Sequence, residues 1–164
     1  LGYPHMTQAI HFHGGARTTL DDDDYHRAKD FHWYKTKNGY VAGTVLEQGV
    51  RQRVYLHRWL LDAPPGQLVD HIDGNPLNNR RSNLRLVTRS QNQANRRRNT
   101  TSRSRYKGVT WHKRRGKWMA RIQVEGRRLH LGYFDTPLQA AHMYDAFARS
   151  YFGEYARTNL PSGK

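Results

Sequence analysis

The sequence predicts an α+β protein made of two small units, and three observations predict it. Only 36% of the 164 residues are hydrophobic and the mean hydropathy is −0.98. That is too little apolar surface for one large core, whereas small domains bury proportionally less. The pattern also changes midway, at the arginine-rich stretch NRRRNTTSRSR (Asn95–Arg105), which has no apolar periodicity. After it come three alternating, strand-like runs and one amphipathic helix, which is a complete small α+β unit by itself.

In chain order, the opening LGYPHM reads as an appended tag and is left outside the fold. A polar segment follows, then Asp21–Asp24, acids suited to the first turn of a short helix carrying Tyr25 and Ala28. A metal cluster is the alternative reading of these four acids. HWYKT and YVAGTVL, separated by Lys37-Asn38-Gly39, read as a hairpin, because Asn-Gly suits the tight turn. VYLHRWLLD (Val54–Asp62) reads as a short helix with Leu56, Trp59 and Leu60 on one face, stopped by Pro64-Pro65-Gly66. Gln67–His71 is a predicted strand, Ile72–Ser82 a loop rich in Gly, Asn and Pro, and Leu84–Val87 a second strand. Thr88 or Ser90 then caps a helix running into Arg96–Arg98. The expected domains are residues 7–94 and 106–161, joined by a basic linker at 95–105.

The second half holds YKGVTWHKR, GKWMARIQVEG and RRLHLGYF, with turns at Arg115-Gly116 and Glu125-Gly126. Thr136-Pro137 opens a helix with Ala140, Ala141, Tyr144, Phe147, Ala148 and Tyr151 along one stripe. Period-2 alternation turns Val109, Trp111, Ala120, Ile122, Val124, Leu129 and Leu131 toward that helix. Thr110, His112, Met119, Arg121, Gln123, Arg128 and His130 then face outward. Trp118 reads first as a core residue and second as a base or sugar contact.

A formal charge of +15 and a pI near 10.6 point to a polyanionic partner. Residues 1–88 hold eleven Lys/Arg against nine Asp/Glu, whereas residues 89–117 hold eleven and no acid. Arg96, Arg97, Arg98, Arg103 and Arg105 are therefore expected to follow a phosphate backbone. Arg114, Arg115 and Lys117 in the turn are expected on phosphates as well. Arg121 and Gln123 carry the donors that pair with guanine and adenine edges, and Lys107, Thr110, His112, Arg128 and His130 complete the expected DNA-binding set. There is no cysteine, which excludes disulfides and Cys-ligated zinc. No apolar run approaches the ~20 residues of a membrane span, and no signal-peptide pattern is present.

The stretch VDHIDGNPLNNRRSNLRLVTRSQNQ (Val69–Gln93) admits two readings, a metal-dependent site or an asparagine-rich turn. A carboxylate is a hard oxygen ligand for Mg²⁺ and a neutral imidazole is the usual general base near pH 7. Asp70, His71 and Asn92 can thus serve phosphodiester hydrolysis. The spacing, with Asn83 twelve residues after His71 and Asn92 twenty-two after Asp70, resembles the HNH nucleases and their ββα-metal fold. With YLHRWLL and DDDDY it is most similar to the phage and mobile-intron HNH homing endonucleases, over about residues 21–98. The resemblance implies His71 as general base, Asp70 as metal ligand, Asn83 as the residue that ties the loop and orients the histidine, and Asn92 as an oxygen ligand. This is an HNN pattern, and its oxygen ligands favour one Mg²⁺ or Mn²⁺ ion per active site. His57 matches the histidine of a family His-Arg pair, read here as packing or phosphate contact, and Asp73 reads as a loop cap.

YKGVTWHKRRGKWMARI, LGYFDTPLQAAHMYDAFA and GEYARTNLP together resemble the AP2 domain of plant transcription factors, whose sheet enters the major groove. The fold expected is then an N-terminal ββα-metal domain with a C-terminal three-stranded antiparallel sheet packed on one helix. The function expected is a sequence-specific endonuclease on double-stranded DNA, nicking as a monomer or cutting both strands as a DNA-induced dimer. Its setting would be intracellular, in a bacterial cytoplasm, with a phage or mobile-element origin and no membrane partner. The alternatives are a non-catalytic AP2-type regulator with a degenerate nuclease module, and an RNA-binding protein. The second is disfavoured because the expected outward face carries no aromatic ring to stack on bases.

Overall fold

A computed structural model describes residues 6–97 and 104–161 and divides the chain into two compact units, Leu1–Leu86 and Val87–Lys164. The first unit begins with an antiparallel hairpin, β1 (Thr7–His11) and β2 (Arg17–Asp21), followed by helix α1 (Asp22–Ala28). Strands β3 (His32–Lys35), β4 (Val41–Glu47) and β5 (Val50–Tyr55) form an antiparallel sheet in that order. Helix α2 (Leu56–Leu60) comes next, and β6 (Leu68–His71) and β7 (Leu84–Val87) make a two-stranded sheet. The expected Asn-Gly hairpin is β3–β4.

Alternation on β4 sends Val41 and Val45 inward, where they meet Leu20, Trp33, Leu56 and Leu60 in one core. Gly43 lies between them and Trp33 crosses over it. A Cβ there would come within 2.5 Å of the Trp33 ring and 2.6 Å of the His32 carbonyl. Only glycine permits that approach.

Two elements differ from expectation. The polar opening segment folds as β1–β2, because Thr18 and Leu20 alternate into the core and are fully buried. Val54 and Tyr55 end β5 instead of opening a helix, and Val54 pairs with Gly43. Asp21 and Asp24 pair with cations. Asp24 is 1% exposed and accepts from Arg81 Nε at 2.8 Å, Arg81 Nη2 at 2.9 Å and Arg27 Nη1 at 3.2 Å. Asp21 makes no capping bond to α1; its carboxylate accepts from Arg80 Nε and the Arg81 amide. These pairs fasten the 3-10 turn Arg81–Asn83 to α1.

The second unit holds α3 (Arg89–Asn95), the antiparallel strands β8 (Val109–His112), β9 (Lys117–Val124) and β10 (Arg127–Phe134) in the order β10-β9-β8, and α4 (Pro137–Phe152). This is the predicted three strands and one helix. Both helices open with a capping box, Thr88 with Gln91 and Thr136 with Gln139. Helix α4 buries Ala140, Ala141, Tyr144, Ala148 and Phe152. Tyr151, expected on that stripe, is exposed, and Phe152 takes the inward place. Asp145 is fully buried and accepts the amides of Asn159 and Leu160, both at 2.8 Å, which clasps the C-terminal segment to α4. Helix α3, expected in the first domain, packs within this unit. Ala94 joins the core of Ile122, Val124, Tyr144 and Phe152, and the amide of Arg157 donates to Ala94 O at 3.2 Å.

The sheet faces follow alternation up to a bulge. Ala120, Ile122 and Val124 are buried as predicted, and Trp118 packs against the Val109–Ala120–Ala140 cluster. Pairing shifts between His130 and Gly132, so that Gly132 opposes Ala120 and Tyr133 opposes Met119. Tyr133 therefore lies on the outward face, which corrects the expectation that this face carries no aromatic ring. Leu131, the extra residue, packs into both clusters, whereas Leu129 and Trp111 stay 37% and 39% exposed.

Candidate active site and nucleic-acid interface

Two buried polar neighbours close strand β6, Asp70 at 8% and His71 at 5% exposure. The strand stops because the chain turns at once, with the Gly74 amide donating to His71 O at 2.8 Å. Adjacent side chains on a flat strand point to opposite sides, and these two have different partners at the point where the strand ends. Asp70 meets Arg85 of β7, whose Nε and Nη2 donate to Asp70 Oδ2 at 3.1 and 3.0 Å. His71 meets Asn79, with Nε2 3.2 Å from Asn79 Oδ1.

Asn83 ties the loop. Its Oδ1 accepts from the Asp73 amide at 3.0 Å, and its Nδ2 donates to Asp73 Oδ1 at 3.0 Å and Asn78 O at 2.8 Å. The Ile72 amide also donates to Asn83 O at 2.9 Å. Asn79 in the same loop hydrogen-bonds His71 directly. Asp73 organises the loop from within, accepting from the Asn75 amide at 2.7 Å and Asn78 Nδ2 at 2.8 Å. Burial raises its carboxyl pKa, but these hydrogen bonds and that of Asn83 outweigh it and hold the value below the usual one.

His57 packs edge-on against His71 with ring centroids 5.2 Å apart. Tyr40 and Tyr55 flank it at 5.3 and 5.7 Å, both partly exposed. Burial, then the neighbouring His71 and Arg58, push His57 down to about 3. Burial also lowers His71, against the opposing influence of the Asn79 hydrogen bond, Asp73 and Asp70. Both rings are therefore neutral at pH 7. Among the described residues no group of three or more His, Cys, Asp or Glu side chains is arranged to hold a metal. Asn92 stands on α3, in the second unit, where its amide closes the helix onto Thr88 O at 3.0 Å.

The outward face of the second sheet presents Thr110, His112, Met119, Arg121, Gln123, Arg128, His130 and Tyr133. Tyr133 lies 5.1 Å from His112 and 4.5 Å from His130, and the Arg115 guanidinium sits over its ring at 4.6 Å. Thr110, Arg121, Gln123 and Arg128 line one shallow cleft. Gln123 Oε1 accepts from Gln93 Nε2 at 2.8 Å. Lys117 pairs with Asp135. The Lys107 ammonium bonds Ala94 O and lies over Tyr144, and burial pushes it down to about 8. Arg96, Arg97, Arg105 and Arg114 are exposed, whereas Arg98 and Arg103 lie outside the described residues.

Sequence reasoning missed Asn79, Arg85 and Tyr133. A lone cation between Leu84 and Leu86 was a readable partner for a lone strand acid, and Gly132 inside a strand pattern is a bulge signal. Asn79 gave no signal beyond that of a turn residue.

The first unit thus carries a strand-loop-strand site with a buried histidine, and the second a three-stranded sheet with a basic outward face. The family model described as HNH endonuclease matches residues 54–94, and that described as AP2 domain matches residues 104–154. Protein 3.8 of Escherichia phage T7 is 35% identical over 94 residues, 57% of this chain and 77% of that protein. The uncharacterized HNH endonuclease L560 of Acanthamoeba polyphaga mimivirus is 35% identical over 135 residues, 79% of this chain and 67% of its own length. Dehydration-responsive element-binding protein 2A of rice is 50% identical over 60 residues, 34% of this chain and 20% of the plant protein. The chain belongs to the HNH endonuclease family and carries an AP2 domain. No helix among the described residues is long and apolar enough to cross a membrane.

Proposed function

We propose that this protein is a metal-dependent, sequence-specific DNA endonuclease of the homing type, acting inside a bacterial cell as a phage or mobile-element product. The observation that carries the reading is a buried, neutral His71 next to a buried carboxylate, inside the stretch that matches the HNH endonuclease model. His71 takes a proton from water, the oxygen attacks phosphorus, and the bond to the leaving oxygen breaks. Asp70 and Asn92 would hold one Mg²⁺ or Mn²⁺, since a carboxylate and an amide oxygen fit a hard cation whose remaining positions go to water and phosphate. When bound, such an ion supplies charge stabilisation on the phosphate and the leaving oxygen. Asn83 holds the loop after His71 through its bonds to Asp73 and Asn78.

The AP2 sheet would dock in the major groove, with Arg121, Gln123, Arg128, His112, His130 and Thr110 toward bases and Arg114, Arg115 and Lys117 toward phosphates. Arg96, Arg97, Arg98, Arg103 and Arg105 would follow the backbone. One site per chain nicks one strand, so a double-strand break requires a DNA-induced dimer or two events. The test is supercoiled plasmid carrying the bound sequence, incubated with Mg²⁺, Mn²⁺ or EDTA beside His71→Ala. Nicked or linear product is expected with metal only, and the variant should be slower by about 10²–10⁴-fold. DNA that is bound but never cut would leave an AP2-type regulator as the function.

A further inference from the structure

We propose that Asn79, locked by Thr18, is the positioning residue that sets the ring orientation and tautomer of His71; this rests on the reading of His71 as the general base. Asn79 and Thr18 are both fully buried, so every polar atom between them needs a partner. The Thr18 hydroxyl has one hydrogen, and it goes to Leu77 O at 2.8 Å. Toward Asn79 the Thr18 oxygen can then only accept, which it does from Nδ2 at 2.8 Å. Pro76 O, a carbonyl, also only accepts, and it takes the second Nδ2 hydrogen at 3.1 Å. These two acceptors fix which end of the amide is nitrogen.

Asn79 Oδ1 is therefore the atom turned to His71 Nε2 at 3.2 Å. A carbonyl oxygen accepts, so Nε2 carries the ring proton and the lone pair of the neutral imidazole falls on Nδ1. The other tautomer would set two lone pairs against each other between two buried side chains, which a low-dielectric interior penalises. The His57 ring, edge-on to His71, limits rotation about the ring axis from the other side. The chain of Leu77 O, Thr18, Asn79 and His71 thus links strand β2 to the end of β6. Asn79 touches no substrate in this proposal and acts only through His71.

The experiment is long-range ¹H–¹⁵N correlation of the histidine rings in the full chain, with single-turnover cleavage and DNA affinity measured on the same samples. The wild type should show His71 as the Nε2–H tautomer. Asn79→Ala should give a tautomer mixture and cut about 10–100-fold more slowly, with DNA affinity unchanged. Thr18→Val, nearly isosteric, frees the amide to turn over and should move both readouts in the same direction by less. An Nδ1–H tautomer in the wild type overturns the proposal. So does an unchanged tautomer and rate in Asn79→Ala or, if that variant does not fold, in Thr18→Val. Full cleavage by His71→Ala would instead sink the base assignment, and the tautomer spectra would still decide the role of Asn79.

Discussion

His57 is a buried ring that stays neutral where an exposed one would charge. Its folded pKa lies near 3, below the unfolded value near 6.5. As pH falls below 6.5 the unfolded chain therefore takes up a proton that the folded chain refuses. The stability that depends on this ring is complete above pH 6.5 and is lost progressively toward pH 3. Between pH 7 and pH 5 the loss should be about 2 kcal/mol, read from urea unfolding at the two values. His57→Phe should lose correspondingly less, and an equal loss in both proteins would refute the assignment. Asp70 and Arg85 test the neighbouring balance of charge. Their side chains are only 9% and 13% exposed, so Arg85→Met takes a cationic partner from a buried carboxylate and should destabilise the fold, read from urea unfolding. Adding Asp70→Asn to that variant should cost less than Asp70→Asn alone, because the ion pair it would break is already gone. Strictly additive unfolding energies would show that the pair is not coupled.

Gly108, just ahead of β8, shows how tightly the second sheet meets its helix. Its φ is +74°, and a Cβ would fall 2.3–2.5 Å from the Tyr144 ring and the Arg121 carbonyl. Gly108→Ala should cost at least about 2 kcal/mol, from left-handed strain and overpacking together; an unchanged melting temperature would contradict this. The strands of this unit were legible because Ala120, Ile122 and Val124 alternate against Arg121 and Gln123, and a one-sided sheet imposes that pattern. The bulge was not read, although Gly132 marked it, and with it Tyr133 was lost to the outward face. Strands β1 and β2 escaped for a different reason: a short Thr-rich run buries only Thr18 and Leu20, too few apolar positions to register. At the candidate site, Asp70, His71 and Asn83 were picked out by a spacing that resembles the HNH nucleases. The partners of His71 and Asp70 depend on the three-dimensional closure, since Asn79 meets Thr18 across 61 positions of sequence.

At the scale of the whole chain, the compact units part at Leu86 and Val87, whereas the AP2 match begins at residue 104. Helix α3 lies in the difference, and it is built into the second unit from several sides. Ala94 enters the core, Gln93 bonds Gln123, and Ser90 Oγ accepts from the Glu125 amide at 3.1 Å. At its C-terminal end the last carbonyls, which no helix can satisfy internally, receive Lys107 Nζ and the Arg157 amide on Ala94 O. A seven-residue helix is not stable alone in water, so these contacts are what keep it formed. A fragment of residues 87–164 should therefore fold and bind DNA, with affinity falling steeply as salt rises. A fragment of residues 104–164 leaves Lys107 buried over Tyr144 without its acceptor and uncovers Ile122 and Val124. It should be less stable by about 4 kcal/mol, the worth of these four lost hydrogen bonds at roughly 1 kcal/mol each. Equal stability of the two fragments at pH 7 would mean that α3 is only laid on the AP2 module and not part of it.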